Sequence, residues 1–95
     1  MFDIKFFERC VCKDGFTMSV QANAGSYCEP RVSGAGHYDS VEIGFPSAKE
    51  PLIIEWAENP DSPTETVYGW VPAYIVRDVI KKHGGLVSGE VPPGV

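Results

Sequence analysis

The chain has 95 residues, enough for one domain and too few for two, and with 43% hydrophobic and 12% aromatic residues it can bury a core of its own. Thirteen acidic against eight basic residues leave a formal charge of −5, which argues against a general phosphate-tracking role; the only adjacent basic pair is Lys81-Lys82, so no direct nucleic-acid ligand is expected. No stretch approaches the length needed to cross a bilayer, and Met1-Phe2-Asp3-Ile4-Lys5 has no leader pattern, so no membrane partner and a cytoplasmic location are expected.

The first elements in the chain are two strands. Phe2, Ile4, Phe6, Cys10 and Cys12 share one parity, and Phe16, Met18, Val20 and Ala22 alternate with Thr17, Ser19, Gln21 and Asn23. A two-residue turn at Asp14-Gly15 would set an apolar face against a polar one. A three-residue loop, Lys13-Asp14-Gly15 with Gly15 left-handed, instead places Cys12 opposite Phe16 and Cys10 opposite Met18. Both thiols then enter the core. Three cysteines cannot all pair within the chain, which favours reduced thiols. Cys10, Cys12, Cys28 and His37 are four soft ligands in principle, but their spacing is not that of common structural zinc sites, and no metal or cofactor is expected.

A long irregular stretch follows, in which Asn23-Ala24-Gly25-Ser26 and Val32-Ser33-Gly34-Ala35-Gly36 bracket Tyr27-Cys28-Glu29-Pro30-Arg31. A loop of this length in a small domain is either functional or poorly ordered. Tyrosine and arginine are enriched at binding hot spots, so Tyr27, Glu29, Arg31 and the neighbouring Tyr38 are the candidate partner-binding residues. The structural alternative is that Tyr27 covers the sheet, Cys28 is a small buried filler and Pro30 stiffens the loop. No catalytic residue is assigned. A competing chemical reading makes Cys28 a nucleophile with His37 as its base, because a thiol needs a neighbouring base or cation to become a thiolate.

Tyr38 to Phe45 reads as the next strand, with Val41, Ile43 and Phe45 inward, Glu42 facing solvent, and Pro46 ending the pairing. Leu52 to Ala57, after Pro51, is short enough to suit either period, and a helical turn is favoured. Thr66 to Val71 has the β-branched and aromatic content of a further strand, on which Tyr68 and Trp70 would share a face. Pro72 suits a helix start. Ile75, Val76, Val79 and Ile80 then form one apolar stripe, Asp78 can pair with Lys82, His83 joins the cationic last turn, and Gly84-Gly85 supplies a left-handed stop. The closing residues 88–95 hold many turn formers and are expected to fray as a flexible tail. The expected fold is thus a single α+β domain over residues 1–87, an antiparallel sheet of about four strands packed against one C-terminal helix.

Met18-Ser19-Val20-Gln21-Ala22, Tyr27-Cys28-x-Pro30-Arg31, Tyr38-x-x-Val41-Glu42-x-Gly44-Phe45-Pro46, Thr66-Val67-Tyr68-Gly69-Trp70-Val71-Pro72 and His83-Gly84-Gly85 together resemble a family of small uncharacterised phage and prophage proteins. The resemblance spans roughly residues 18 to 85 and implies a viral or prophage origin, so that the expected cytoplasm is that of a host, but it implies no activity. A non-catalytic binder of a host protein is the leading functional expectation. Its sharp form is an anti-CRISPR or other anti-defence inhibitor whose acidic surface suits a basic, nucleic-acid-binding partner. The alternatives are a small-molecule-binding or Cys-dependent enzyme using the 27–37 loop, or a virion accessory protein that self-associates, with a homodimer as one form, through a face carrying Trp56 or Trp70.

Overall fold

The N-terminal hairpin fixes which side chains enter the core. In the computed structural model, which describes residues 6–95, β1 (Cys10–Cys12) and β2 (Thr17–Gln21) run antiparallel with Cys10 opposite Met18 and Val11 opposite Thr17. The Cys12 N–H donates to the Phe16 carbonyl at 2.8 Å and the Gly15 N–H to the Cys12 carbonyl at 2.9 Å, closing the three-residue loop. Gly15 has φ 95°, a conformation that a Cβ would strain. Cys10, Cys12, Phe16, Met18 and Val20 are therefore all buried on one face, as the parity predicts. The earlier part of the expected first strand, Phe2 and Ile4, lies outside the described residues, and Phe6 is exposed.

The hairpin grows into one antiparallel sheet. β3 (Ser40–Gly44) pairs with β2, β4 (Val67–Pro72) pairs with β3, and β5 (Leu86–Ser88) pairs with β1, giving the order β4-β3-β2-β1-β5. The helical turn expected near residue 54 is a single 3₁₀ turn, Ile54–Trp56. The fold class is α+β as expected, with a fifth strand contributed by residues that straddle the anticipated domain boundary.

Helix α1 (Ala73–Lys82) begins directly after Pro72, whose missing N–H costs nothing there, and the Ala73 N–H donates to Asp39 O at 2.9 Å. Ala73, Val76 and Val79 are buried and Ile75 and Ile80 pack beside them, so the apolar stripe closes over the core formed by the sheet. Each fully buried valine contributes about 1.5–3 kcal/mol through removal from water. Gly84 (φ 93°) and Gly85 (φ 99°) stop the helix, with the Gly85 N–H returning to Ile80 O at 2.9 Å. The β1–β2 loop docks on this end: Lys13 N–H reaches Gly85 O at 3.0 Å and Asp14 N–H reaches His83 O at 3.2 Å.

Residues 88–95, expected to fray, are instead laid across the domain. The Glu90 N–H donates to Glu8 O at 3.1 Å, the Tyr38 N–H to Pro93 O at 2.8 Å, and Val91 and Val95 pack against the core. Turn-forming composition keeps residues 89–95 out of regular elements but leaves their backbone groups and valines to find partners on the domain.

β4 also departs from simple alternation. Ile43 opposes Tyr68 and Val41 opposes Val71, so Glu42 faces two residues, Gly69 and Trp70, across a β-bulge. Tyr68 and Val71, three apart, both point inward with no exposure, while Trp70 is turned out at 50% exposure. Tyr68 and Trp70 therefore do not share a face, because the inserted residue shifts the parity between them.

Candidate functional site

The bulge assembles an aromatic surface. Trp70 has φ 53°, one of two non-glycine residues with positive φ among the described residues. For a bulky side chain that backbone costs on the order of 1–3 kcal/mol and persists only when its surroundings over-determine it. Those surroundings are the 27–31 segment: the Trp70 N–H donates to Tyr27 O at 2.9 Å, and the Tyr27 N–H donates to Glu42 Oε1 at 3.1 Å. Glu42, expected in solvent, is half-buried and occupied in holding the loop to the sheet.

The Tyr27 and Trp70 rings stack with centroids 4.9 Å apart at 27°, and the Arg31 guanidinium carbon lies 5.1 Å from the Tyr27 centroid. Gly69 permits the approach, since a Cβ there would sit 3.2 Å from Tyr27 Cβ. Beside the stack is a cavity of about 330 Å³ lined by Tyr27, Trp56, Glu58, Gly69 and Trp70. Trp56 comes from the 3₁₀ turn and is half-buried against the core. Glu58 is exposed and anchored through its N–H to Val67 O at 2.9 Å.

The predicted contact residues separate. Tyr27 and Arg31 join the stack. Glu29 is exposed, and its backbone bridges to Ser40, with N–H to Ser40 O at 3.2 Å; the Glu29–Pro30 peptide is cis. Tyr38 is only 1% exposed and donates its hydroxyl to Val32 O at 2.6 Å, so it organises the loop from inside and offers no contact surface. Sequence reasoning missed Glu58 and Gly69 as site residues. The available signal was Gly69 itself, since glycine inside a strand pattern often marks a bulge or a close backbone approach.

The thiols present the opposite picture. Cys28 is fully buried, its Sγ 3.3 Å from both Asn23 O and Pro30 O, and burial raises its pKa above the ordinary thiol value. Burial likewise pushes Cys10 up to about 11. A nucleophilic cysteine needs the reverse shift. His37 is exposed and turned to Asp39, 3.1 Å away. Among the described residues, no group of three or more His, Cys, Asp or Glu side chains is arranged to hold a metal ion.

A second polar cluster lies where the hairpin loop meets the helix end. His83 Nδ1 is 2.6 Å from Asp14 Oδ2 and Nε2 is 2.7 Å from Glu50 Oε1, while Glu50 Oε2 accepts from Lys82 Nζ and the Leu52 N–H, both at 2.9 Å. Lys82 thus meets Glu50 in place of the expected Asp78. Burial works against charge on His83, yet hydrogen bonds to Glu50 and Asp14 prevail and raise its pKa. Burial opposes the Glu50 carboxylate too, and its donors lower its pKa nonetheless. Both ring nitrogens face carboxylates, so protonated His83 spends its two N–H groups on Asp14 and Glu50, and the cluster reads as a clamp.

A larger depression, about 520 Å³, runs between α1 and β5 along Ile80, Leu86, Val91 and Val95 with Arg77 and Lys81 at its rim. It is aliphatic and carries no strained residue. No described helix is long and apolar enough to cross a membrane. Comparison with protein-family models, curated proteins and solved structures finds no match.

Proposed function

We propose that this chain is a non-catalytic protein-binding module whose contact surface is the Arg31–Tyr27–Trp70 stack. The observation that carries the reading is Trp70, held half-exposed in a left-handed backbone conformation on a bulge. Core packing does not explain that arrangement, because Tyr68 and Val71 already fill the inward positions of the strand. Tryptophan, tyrosine and arginine are also the residue types that dominate binding energy at interfaces.

A net charge of −5 suits a basic host protein as the partner, and the phage-type resemblance gives the reading its sharp form, a nucleic-acid-binding defence complex that the acidic chain inhibits. Against the Cys28-dependent enzyme stand the burial of its thiol and its raised pKa. The test is affinity capture of the tagged chain from a bacterial lysate containing a defence complex, with Trp70→Asn as control. Recovery of a specific complex that the variant loses supports the reading. Equal recovery by both removes the stack from the interface, and a free chain that leaves phage survival unchanged in defended hosts ends the inhibitor form.

A further inference from the structure

We propose that the cavity formed by Tyr27, Trp56, Trp70 and Glu58 receives the cationic head of a lysine or arginine side chain from the partner, a proposal that rests on the protein-binding reading above. Three of the five lining residues are aromatic and one is a carboxylate. Ring faces carry negative potential and attract cations within about 6 Å of their centroids, tryptophan most strongly. A carboxylate at the rim adds direct charge complementarity, and the chain's net charge of −5 adds the long-range attraction.

Arg31 lies over the Tyr27 ring at 5.1 Å and Trp70 stacks on the same ring at 4.9 Å, so Tyr27 is already engaged, and the two indoles with Glu58 are what the cavity offers an incoming cation. Trp56 and Trp70 complete the surround without their own internal cation among the described ring contacts. The tethering is firm: the Ala57↔Tyr68 bridge and the Glu58 N–H to Val67 O bond fasten the Trp56 segment to β4, and the Trp70 N–H to Tyr27 O bond fastens the loop to the same strand. Such preorganisation spares the ordering cost that weakens binding at flexible surfaces. Lining residues alone would suit any flat apolar group, and it is Glu58 that selects charge.

The experiment is a titration of the intact chain, followed by the indole N–H resonances of Trp56 and Trp70, with an amidated Gly-Lys-Gly peptide, choline, and the neutral choline isostere 3,3-dimethyl-1-butanol. The expected result is saturable shifts of both indoles by the two cations, with the neutral isostere and the Glu58→Gln variant roughly 3–10-fold weaker. Equal affinity for choline and its isostere, or an unchanged affinity in Glu58→Gln, overturns the cation assignment. Trp70→Asn serves as a second variant and abolishes the response if the stack is the site. The two readings fail separately: a partner captured with full affinity by Glu58→Gln leaves the binding surface standing without a cation pocket. Cation-selective titration with no Trp70-dependent capture leaves the pocket standing and removes the protein-partner reading.

Discussion

Glu50, at 1% exposure, receives the Nε2–H of His83 across 2.7 Å and thereby joins the segment before the 3₁₀ turn to the end of α1. His83 also lies flat on Phe16, ring centroids 4.0 Å apart at 11°, so the clamp sits on the edge of the core. Its pH dependence follows from the two shifts. The raised pKa of His83 gives stability that is complete below its ordinary value of 6.5 and is lost as pH rises through the folded value. The lowered pKa of Glu50 gives stability that is complete above 4.5 and is lost as pH falls through its folded value. The urea midpoint should therefore plateau between about pH 4.5 and 6.5 and decline on both sides. His83→Gln should flatten the decline on the side above pH 6.5, and an unchanged profile in that variant would remove His83 as its cause.

Glu50→Gln keeps the shape and removes the charge that both Lys82 and His83 need. Loss of charged hydrogen bonds at a buried site should cost roughly 2 kcal/mol, a fall in Tm on the order of 8–16 °C for a domain of this size. A variant melting within about 2 °C of the parent would mean that the clamp contributes little.

Trp70→Asn should separate stability from binding. Asparagine tolerates the left-handed region, so relief of backbone strain offsets the lost ring stack, and the unfolding free energy should stay within about 1 kcal/mol of the parent. Partner capture should nevertheless disappear. A large loss of stability would show that the indole is needed for the fold.

At Gly69 the effect should run through Tyr27. A Cβ there meets Tyr27 Cβ at 3.2 Å, so Gly69→Ala requires the tyrosine to shift by a few tenths of an ångström, which should loosen the stack. The expected signature is a destabilisation of about 1 kcal/mol with altered tryptophan fluorescence, and an unchanged emission spectrum would count against the packing described.

Gly89 tests the docking of the last residues. It has φ 94°, and a Cβ would lie 2.2 Å from Arg9 O, a backbone atom that cannot move without disturbing β1. Gly89→Ala should cost about 3 kcal/mol or more and speed amide exchange in β1 and β5, whereas a near-neutral effect would mean that these residues are loosely held.

The three thiols, all at or below 1% exposure, should react with a thiol reagent only in denaturant. Rapid modification of Cys28 in the native protein would revive its nucleophilic reading.

The hairpin was legible because two independent signals agreed: apolar parity on both strands and a glycine placed for a three-residue loop. The helix was equally plain, with Pro72, the valine and isoleucine stripe and Gly84-Gly85 all marking the same segment. Tyr68 and Trp70 defeated the same method, since period-two reasoning assumes an unbroken ladder and a bulge inserts a residue that periodicity cannot locate. Residue type and loop length singled out Tyr27 and Arg31, which the fold brings into one stack, but they could not show that Tyr38 is buried, because its hydroxyl finds Val32 O only through the folded loop. Glu50 looks like an ordinary surface acid until the helix end delivers His83 and Lys82 to it.

β1 takes its two neighbours from opposite parts of the sequence, β2 after a three-residue loop and β5 only after the helix. The first pairing is a local event, while the second must close a loop spanning most of the chain, with the entropy that entails. The hairpin can therefore serve as an early folding nucleus, and we expect β5 to seat after the main barrier. Substitutions in residues 86–88 should then shorten the lifetime of the native state while leaving the refolding rate almost as it was.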